Sequence, residues 1–151
     1  LATGYYLTCG VTASGVALCW GFNGNGQLGD GTTTQRLNPV QVQLPGTVTL
    51  SQVAAGSFHS CGVAATGSAL CWGWNGFSQL GDGTHTQRRT RVSVEVEGES
   101  FTQLSTGGGL SGGGHTCGLT TTASSYCWGI NIEGQLGDGY DPRLPRPSLF
   151  P

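Results

Sequence analysis

The feature that most constrains this chain is a cassette that it carries three times. "CWGFNGNGQLGDGT" stands at 19–32, "CWGWNGFSQLGDGT" at 71–84 and "CWGINIEGQLGDGY" at 127–140. Each copy opens on an aromatic anchor and closes in a cluster of turn formers. The Trp-Gly pairs begin at Trp20, Trp72 and Trp128, 52 and then 56 residues apart, and Cys9, Cys61 and Cys117 repeat with the same two intervals. "GTTTQR" (31–36) returns as "GTHTQR" (83–88), and "LATGYYLTCGV" (1–11) as "VAAGSFHSCGV" (53–63). A fixed period of this length argues for one supersecondary unit used repeatedly and stacked on its own copies. The units divide as 1–52, entered part-way, 53–105 and 106–151. The last contains "GGGLSGGG" (107–114), read as a flexible glycine-rich loop.

Within a unit every local signal is β. "HSCGVAATGSALCWGW" (59–74) holds two apolar segments around a turn, the pattern of a hairpin. "NPVQVQL" (38–44) and "RVSVEVEG" (91–98) alternate apolar and polar residues, as half-buried strands do. Three to four short strands per unit follow, and no amphipathic helical stripe occurs. The chain is read as all-β.

Each unit holds two cysteines ten residues apart: Cys9 and Cys19, Cys61 and Cys71, Cys117 and Cys127. With the hairpins centred near Ser14, Thr66 and Thr122, the two members of each pair lie opposite one another, close enough to bridge. Six cysteines permit 15 pairings, and the threefold symmetry prefers one bridge per unit. Buried free thiols are the alternative. A zinc site lacks both C-x2-C spacing and a histidine recurring at a fixed offset. Bridges place the chain in an oxidising compartment, secreted or on a cell surface.

Composition excludes some roles. Net charge is −2, lysine is absent and all six basic residues are arginine, so no basic field exists for nucleic acid or an anionic membrane. No apolar run is long enough for membrane insertion as a helix.

The pattern H-[ST]-C-G-[VL]…C-W-G-x-N-x-x-[GS]-Q-L-G-D-G-[TY] resembles the RCC1 repeat family over nearly the whole chain, and its paired cysteines resemble extracellular bacterial members. The resemblance implies β-propeller blades, with Trp20, Trp72 and Trp128, and Leu28, Leu80 and Leu136, packing between blades. It also implies structural turns at Asp30, Asp82 and Asp138. About three units are present where the family's closed propeller has seven. Three expectations follow: a portion of a longer protein, a propeller completed by copies or another chain, or a closed β-trefoil, whose Q-x-W pattern is missing here.

Little chemistry is visible. Each GDG turn offers one carboxylate where a calcium site wants several oxygens, so the aspartates read as turn residues bonding their own backbone. Asp30 and Asp82 can also reach Arg36 and Arg88, six residues on, as solvated pairs of small worth. "RRTR" (88–91) and "EVEGE" (95–99) read as a solvated strand pair. His59 and His115 are equivalent, but Leu7 stands in unit one, and no nucleophile, phosphate-loop or zinc-protease motif appears. No enzyme, no cofactor and no metal are expected. Phe22, Trp74 and Ile130, the large x of W-G-x-N, thicken the packing or, with Phe77 and Tyr140, form a contact surface. The functional expectation is a non-enzymatic extracellular protein-interaction module. The alternatives are a structural subunit that self-assembles into an oligomer, filament or sheath, and a carbohydrate-binding lectin. The partner is then a protein or copies of the chain itself.

Overall fold

The computed structural model describes residues 1–96, 98–109 and 113–139, and the chain forms three antiparallel sheets. The first runs β1 (Ala2–Thr3), β2 (Leu7–Val11), β3 (Ala17–Gly21) and β4 (Arg36–Gln41) in simple order. The second repeats it with β5 (Leu50–Ala55), β6 (His59–Ala64), β7 (Ala69–Gly73) and β8 (Arg88–Ser93). The third has β9 (Phe101–Gly108), β10 (Gly114–Thr120) and β11 (Ser125–Gly129) among the described residues. Each sheet is a meander, since antiparallel neighbours need only a short turn between them. The sheets stack as successive propeller blades, with β1, β5 and β9 side by side along the inner edge. This arrangement is a blade stack and not the alternative trefoil.

The expected hairpins are β2–β3, β6–β7 and β10–β11. Cys9 faces Cys19, Cys61 faces Cys71 and Cys117 faces Cys127, and each pair is bridged, with Cα atoms 4.1, 4.0 and 4.1 Å apart. The sequence division at 52/53 and 105/106 falls inside β5 and β9, so the sequence period and the sheets are offset by a few residues.

Two expectations need correction. Gly107 and Gly108 belong to β9 and Gly114 to β10, where Gly108 pairs with Gly114 and Gly107 with His115. Three of the eight residues of the supposed loop are therefore sheet; residues 110–112 lie outside the described residues. The physical reason is the His115 ring. A Cβ on Gly107 would strike its Cε1, so only glycine lets the strands close there. Nor do 88–91 and 95–99 pair as strands. β8 pairs with β7 through Cys71↔Val92 and Gly73↔Arg88, and Glu95 simply follows it. Glu97 lies outside the described residues.

The core lies between blades. Leu7, Ala17, Leu28, Val42 and the Cys9–Cys19 bridge of blade 1 pack on Leu50, Val53, Leu70 and Trp72 of blade 2. The second joint repeats this, with Val63, Ala69, Leu80 and Cys61–Cys71 against Phe101, Leu104 and Trp128. One face of each blade thus carries its bridge and the other its Trp. Burying those faces against each other supplies the apolar stabilisation that a single sheet lacks.

Candidate functional site

The cassette builds a cross-linked turn. Asn23 Oδ1 accepts from Leu28 N at 2.9 Å and its Nδ2 donates to Asp30 Oδ1 at 3.0 Å. Gln27 Oε1 accepts from Asn25 N at 2.9 Å, turning the Gln27 carbonyl outward. Asn75, Gln79 and Asp82 repeat the set in blade 2, and Asn131, Gln135 and Asp138 in blade 3.

That carbonyl is the joint between blades. Gln27 accepts from the Trp72 indole at 2.9 Å and from Ser60 Oγ at 2.9 Å. Gln79 accepts from Trp128 Nε1 at 3.0 Å and from Thr116 Oγ1 at 2.8 Å. A Cβ on Gly29 or Gly81 would lie 2.8 Å from the incoming indole nitrogen, and both residues have φ +68°. Glycine there is required twice, by space and by backbone. The second joint has one more link: His59 Nε2 lies 3.0 Å from Thr116 Oγ1. Because Thr116 spends its proton on Gln79, His59 donates. Burial, helped by the charge of His115, pushes His59 down to about 4, so it is neutral at physiological pH.

Asp30 and Asp82 are buried, and their ion pairs are not the solvated contacts expected. Asp30 takes Thr32 N at 3.0 Å, Thr32 Oγ1 at 2.7 Å and Arg36 Nε at 2.7 Å; Asp82 takes Thr84 N at 3.1 Å, Thr84 Oγ1 at 2.7 Å and Arg88 Nε at 2.9 Å. The turn folds over each carboxylate and both of its oxygens meet protein donors. Burial alone raises these carboxyls, but the Thr, Arg and Asn donors outweigh it and hold both below their ordinary value.

The remaining feature is aromatic. At one end of the blades Tyr5, Tyr6, Phe22 and Phe58 form a chain of edge-to-face rings, with centroids 4.4, 6.2 and 6.3 Å apart. Phe22 N donates to the Tyr6 carbonyl and Trp74 N to that of Phe58, which fixes both rings at equivalent places. Tyr6, Gly21, Phe22, Gln35 and Phe58 line a cleft of about 380 Å³ with no charged side chain in its wall. Tyr5, Tyr6 and Phe22 are exposed beside it.

Comparison with known proteins matches this architecture. The sequence model described as "Regulator of chromosome condensation (RCC1) repeat" matches residues 14–63, and a second model of the same description matches 50–79 and 111–135. The chain belongs to the RCC1 repeat family. The ultraviolet-B receptor UVR8 of Arabidopsis thaliana is 34% identical over 153 residues, covering 100% of this chain and 34% of its own length. Human RCC1 domain-containing protein 1 is 29% identical, over 89% of this chain and 45% of its own length. The chain thus spans less than half the length of these relatives. Among solved structures, Prp20p of Saccharomyces cerevisiae, described by its binding to Gsp1p and histones, superposes with a TM-score of 0.73 at 25% identity. That match covers 90% of this chain and 33% of Prp20p.

In this RCC1-repeat chain Leu28, Trp72, Leu80 and Trp128 sit at the two joints, whereas Trp20 and Leu136 lie outside them; Leu28 and Leu80 are fully buried and Leu136 is half-buried. Trp72 is enclosed, while Trp20 and Trp128 are half-exposed. Of the predicted contact residues, Phe22 joins the aromatic chain, Phe77 is exposed, and Trp74 and Ile130 are half-buried. Tyr140 lies outside the described residues. Sequence reasoning missed Tyr5, Tyr6 and Phe58. Tyr6 and Phe58 share one unit position, three residues before the first cysteine, and that recurrence is the signal that could have found them.

Proposed function

We propose that this chain is part of a non-enzymatic, extracellular protein-binding platform that holds its partner at the aromatic end of the blades. One observation carries the reading: Tyr5, Tyr6, Phe22 and Phe58 form a connected ring cluster, in which Tyr6, Phe22 and Phe58 wall an uncharged cleft and Tyr5, Tyr6 and Phe22 are open to water. Tyr and Phe are enriched where proteins meet, and a rigid scaffold usually carries its contacts on such connecting segments. The binding described for Prp20p supports the class of function, and three bridges support an oxidising compartment.

The test is a Tyr6→Ser/Phe22→Ser variant, compared with the unaltered chain as bait in the culture fluid of its source cells. Covalent capture and mass spectrometry identify what is held. Both side chains stand at the surface, so the melting point stays within a few degrees while capture of one defined partner falls about ten-fold or more. A partner held equally by both baits overturns the aromatic site. Retention on a glycan array, reversed by free sugar, replaces it with the lectin reading. Reduced cysteines in material trapped directly from the source overturn the extracellular assignment.

A further inference from the structure

Three rings of the aromatic end stand as walls and not as a stack. Phe22 is set at 67° to Tyr6 and at 81° to Phe58, with centroids 6.2 and 6.3 Å away. Tyr6 and Phe58 make no ring contact with each other, so Phe22 is the back of a box and the other two rings are its sides. When two rings at right angles face one point, their centroids lie at opposite ends of the diagonal of a square, and the point is one side away from each. The observed separations make that side about 4.4 Å, well inside the roughly 6 Å over which a ring face attracts a cation. Tyr5 braces Tyr6 edge to face, with centroids 4.4 Å apart.

Blade stacking does not demand this box. Two of its walls recur at the second joint as Phe58 and Trp74, with Gln87 at the place of Gln35. The backbone bonds match too, Trp74 N to the Phe58 carbonyl and Ile130 N to that of Gly114, but Gly114 stands where the third ring would be. That joint packs without it. The three-ring box lies between blades 1 and 2, each a complete four-stranded sheet.

The wall offers a charged group no counter-ion, only ring faces and one amide. Gln35 lines the cleft and its side chain has no hydrogen bond among the described residues, which leaves its carbonyl free to accept. Arg36, next to it in the chain, is spent on Asp30. We infer that the box receives a lysine side chain of the partner protein, its ammonium held by the faces of Tyr6, Phe22 and Phe58 and donating to Gln35 Oε1. A compact ammonium can face three rings at right angles, whereas a planar guanidinium has two flat faces and leaves one ring unused. The N–H groups of lysine have a use for the Gln35 carbonyl, and its apolar stem suits the aromatic approach. A choline phospholipid fits less well, because its phosphate would meet no free cation at the wall. The inference rests on the aromatic end being the partner site proposed above, and names what the partner brings there.

The oxidised chain is titrated with Nα-acetyl-lysine amide and with the same molecule acetylated at Nε, which keeps the stem and loses the charge. Ring-proton shifts are followed by NMR. The charged probe should bind saturably, shift Tyr6, Phe22 and Phe58 together, and hold about ten-fold more tightly than the neutral one. Phe58→Leu keeps the cleft apolar but removes a wall, and should abolish most of that preference; if melting shows that it does not fold, Phe22→Leu serves. Equal affinity for the two probes, or no saturable shift of these rings, overturns the inference. So does retention on phosphatidylcholine vesicles without a response to the lysine probe, which hands the box to a lipid headgroup. Present at saturation during capture, the charged probe should cut retention of the partner several-fold. A partner lost from the Tyr6→Ser/Phe22→Ser bait yet indifferent to the probe overturns the lysine and leaves the platform standing. A partner indifferent to those substitutions overturns both.

Discussion

His59 gives the sharpest energetic test of the joint between blades 2 and 3. Its side chain is 1% exposed and lies in the space that a Cβ on Gly56 or Gly114 would occupy. Its Nε2 serves Thr116, and burial holds the folded-state value at about 4 against an ordinary 6.5. A base depressed in this way binds its proton more readily in the unfolded chain. Its stabilising contribution is therefore complete above about pH 6.5 and is lost as the pH falls toward 4. With those two values the loss is about 2 kcal/mol at pH 5 and about 3 kcal/mol at pH 4. The assay is urea unfolding of the oxidised chain at stepped pH, paired with His59→Leu, which copies the residue of unit one. His85 and His115 are present in both proteins, so the difference between the two curves isolates His59. The unaltered chain should lose that stability across the window relative to the variant. Parallel curves, or an NMR titration of His59 near its ordinary value, would refute the reasoning.

Asp82→Asn removes the charge that gathers Thr84, Arg88 and Asn75, and should cost roughly 1–3 kcal/mol in chemical denaturation. Because the Asp82 carboxyl is held below its ordinary 3.8, its contribution is present above that value and lost on acidification through it. The variant should flatten the acid limb below about pH 4, and an unchanged limb would count against the buried turn. Under graded reductant at high dilution, Cys117–Cys127 should open about ten-fold faster than the other two bridges, because a thiolate can reach exposed Cys127. Alkylation followed by mass spectrometry reads the order, and simultaneous opening of all three bridges would contradict the exposure difference.

What the sequence determined by itself is the part of the structure that is local along the chain. Ten residues between cysteines place them opposite one another in a hairpin, and all three bridges form there. The Asp30 turn bonds are reached within two residues and the Arg36 contact within six. Spacing suffices for these because a short antiparallel hairpin allows few registers. Tertiary structure decided everything that crosses from blade to blade. The Gln27 carbonyl meets Ser60 and Trp72, 33 and 45 residues away, and His59 meets Thr116 across 57. No spacing rule names those partners, because they depend on the rotation between stacked sheets. The same stacking covers Cys19 and Cys71 while leaving Cys127 open, and gathers Tyr6, Phe22 and Phe58 around one cleft. Burial is a property of what lies on the other side of a residue, and for the apolar core of this chain that is the neighbouring blade.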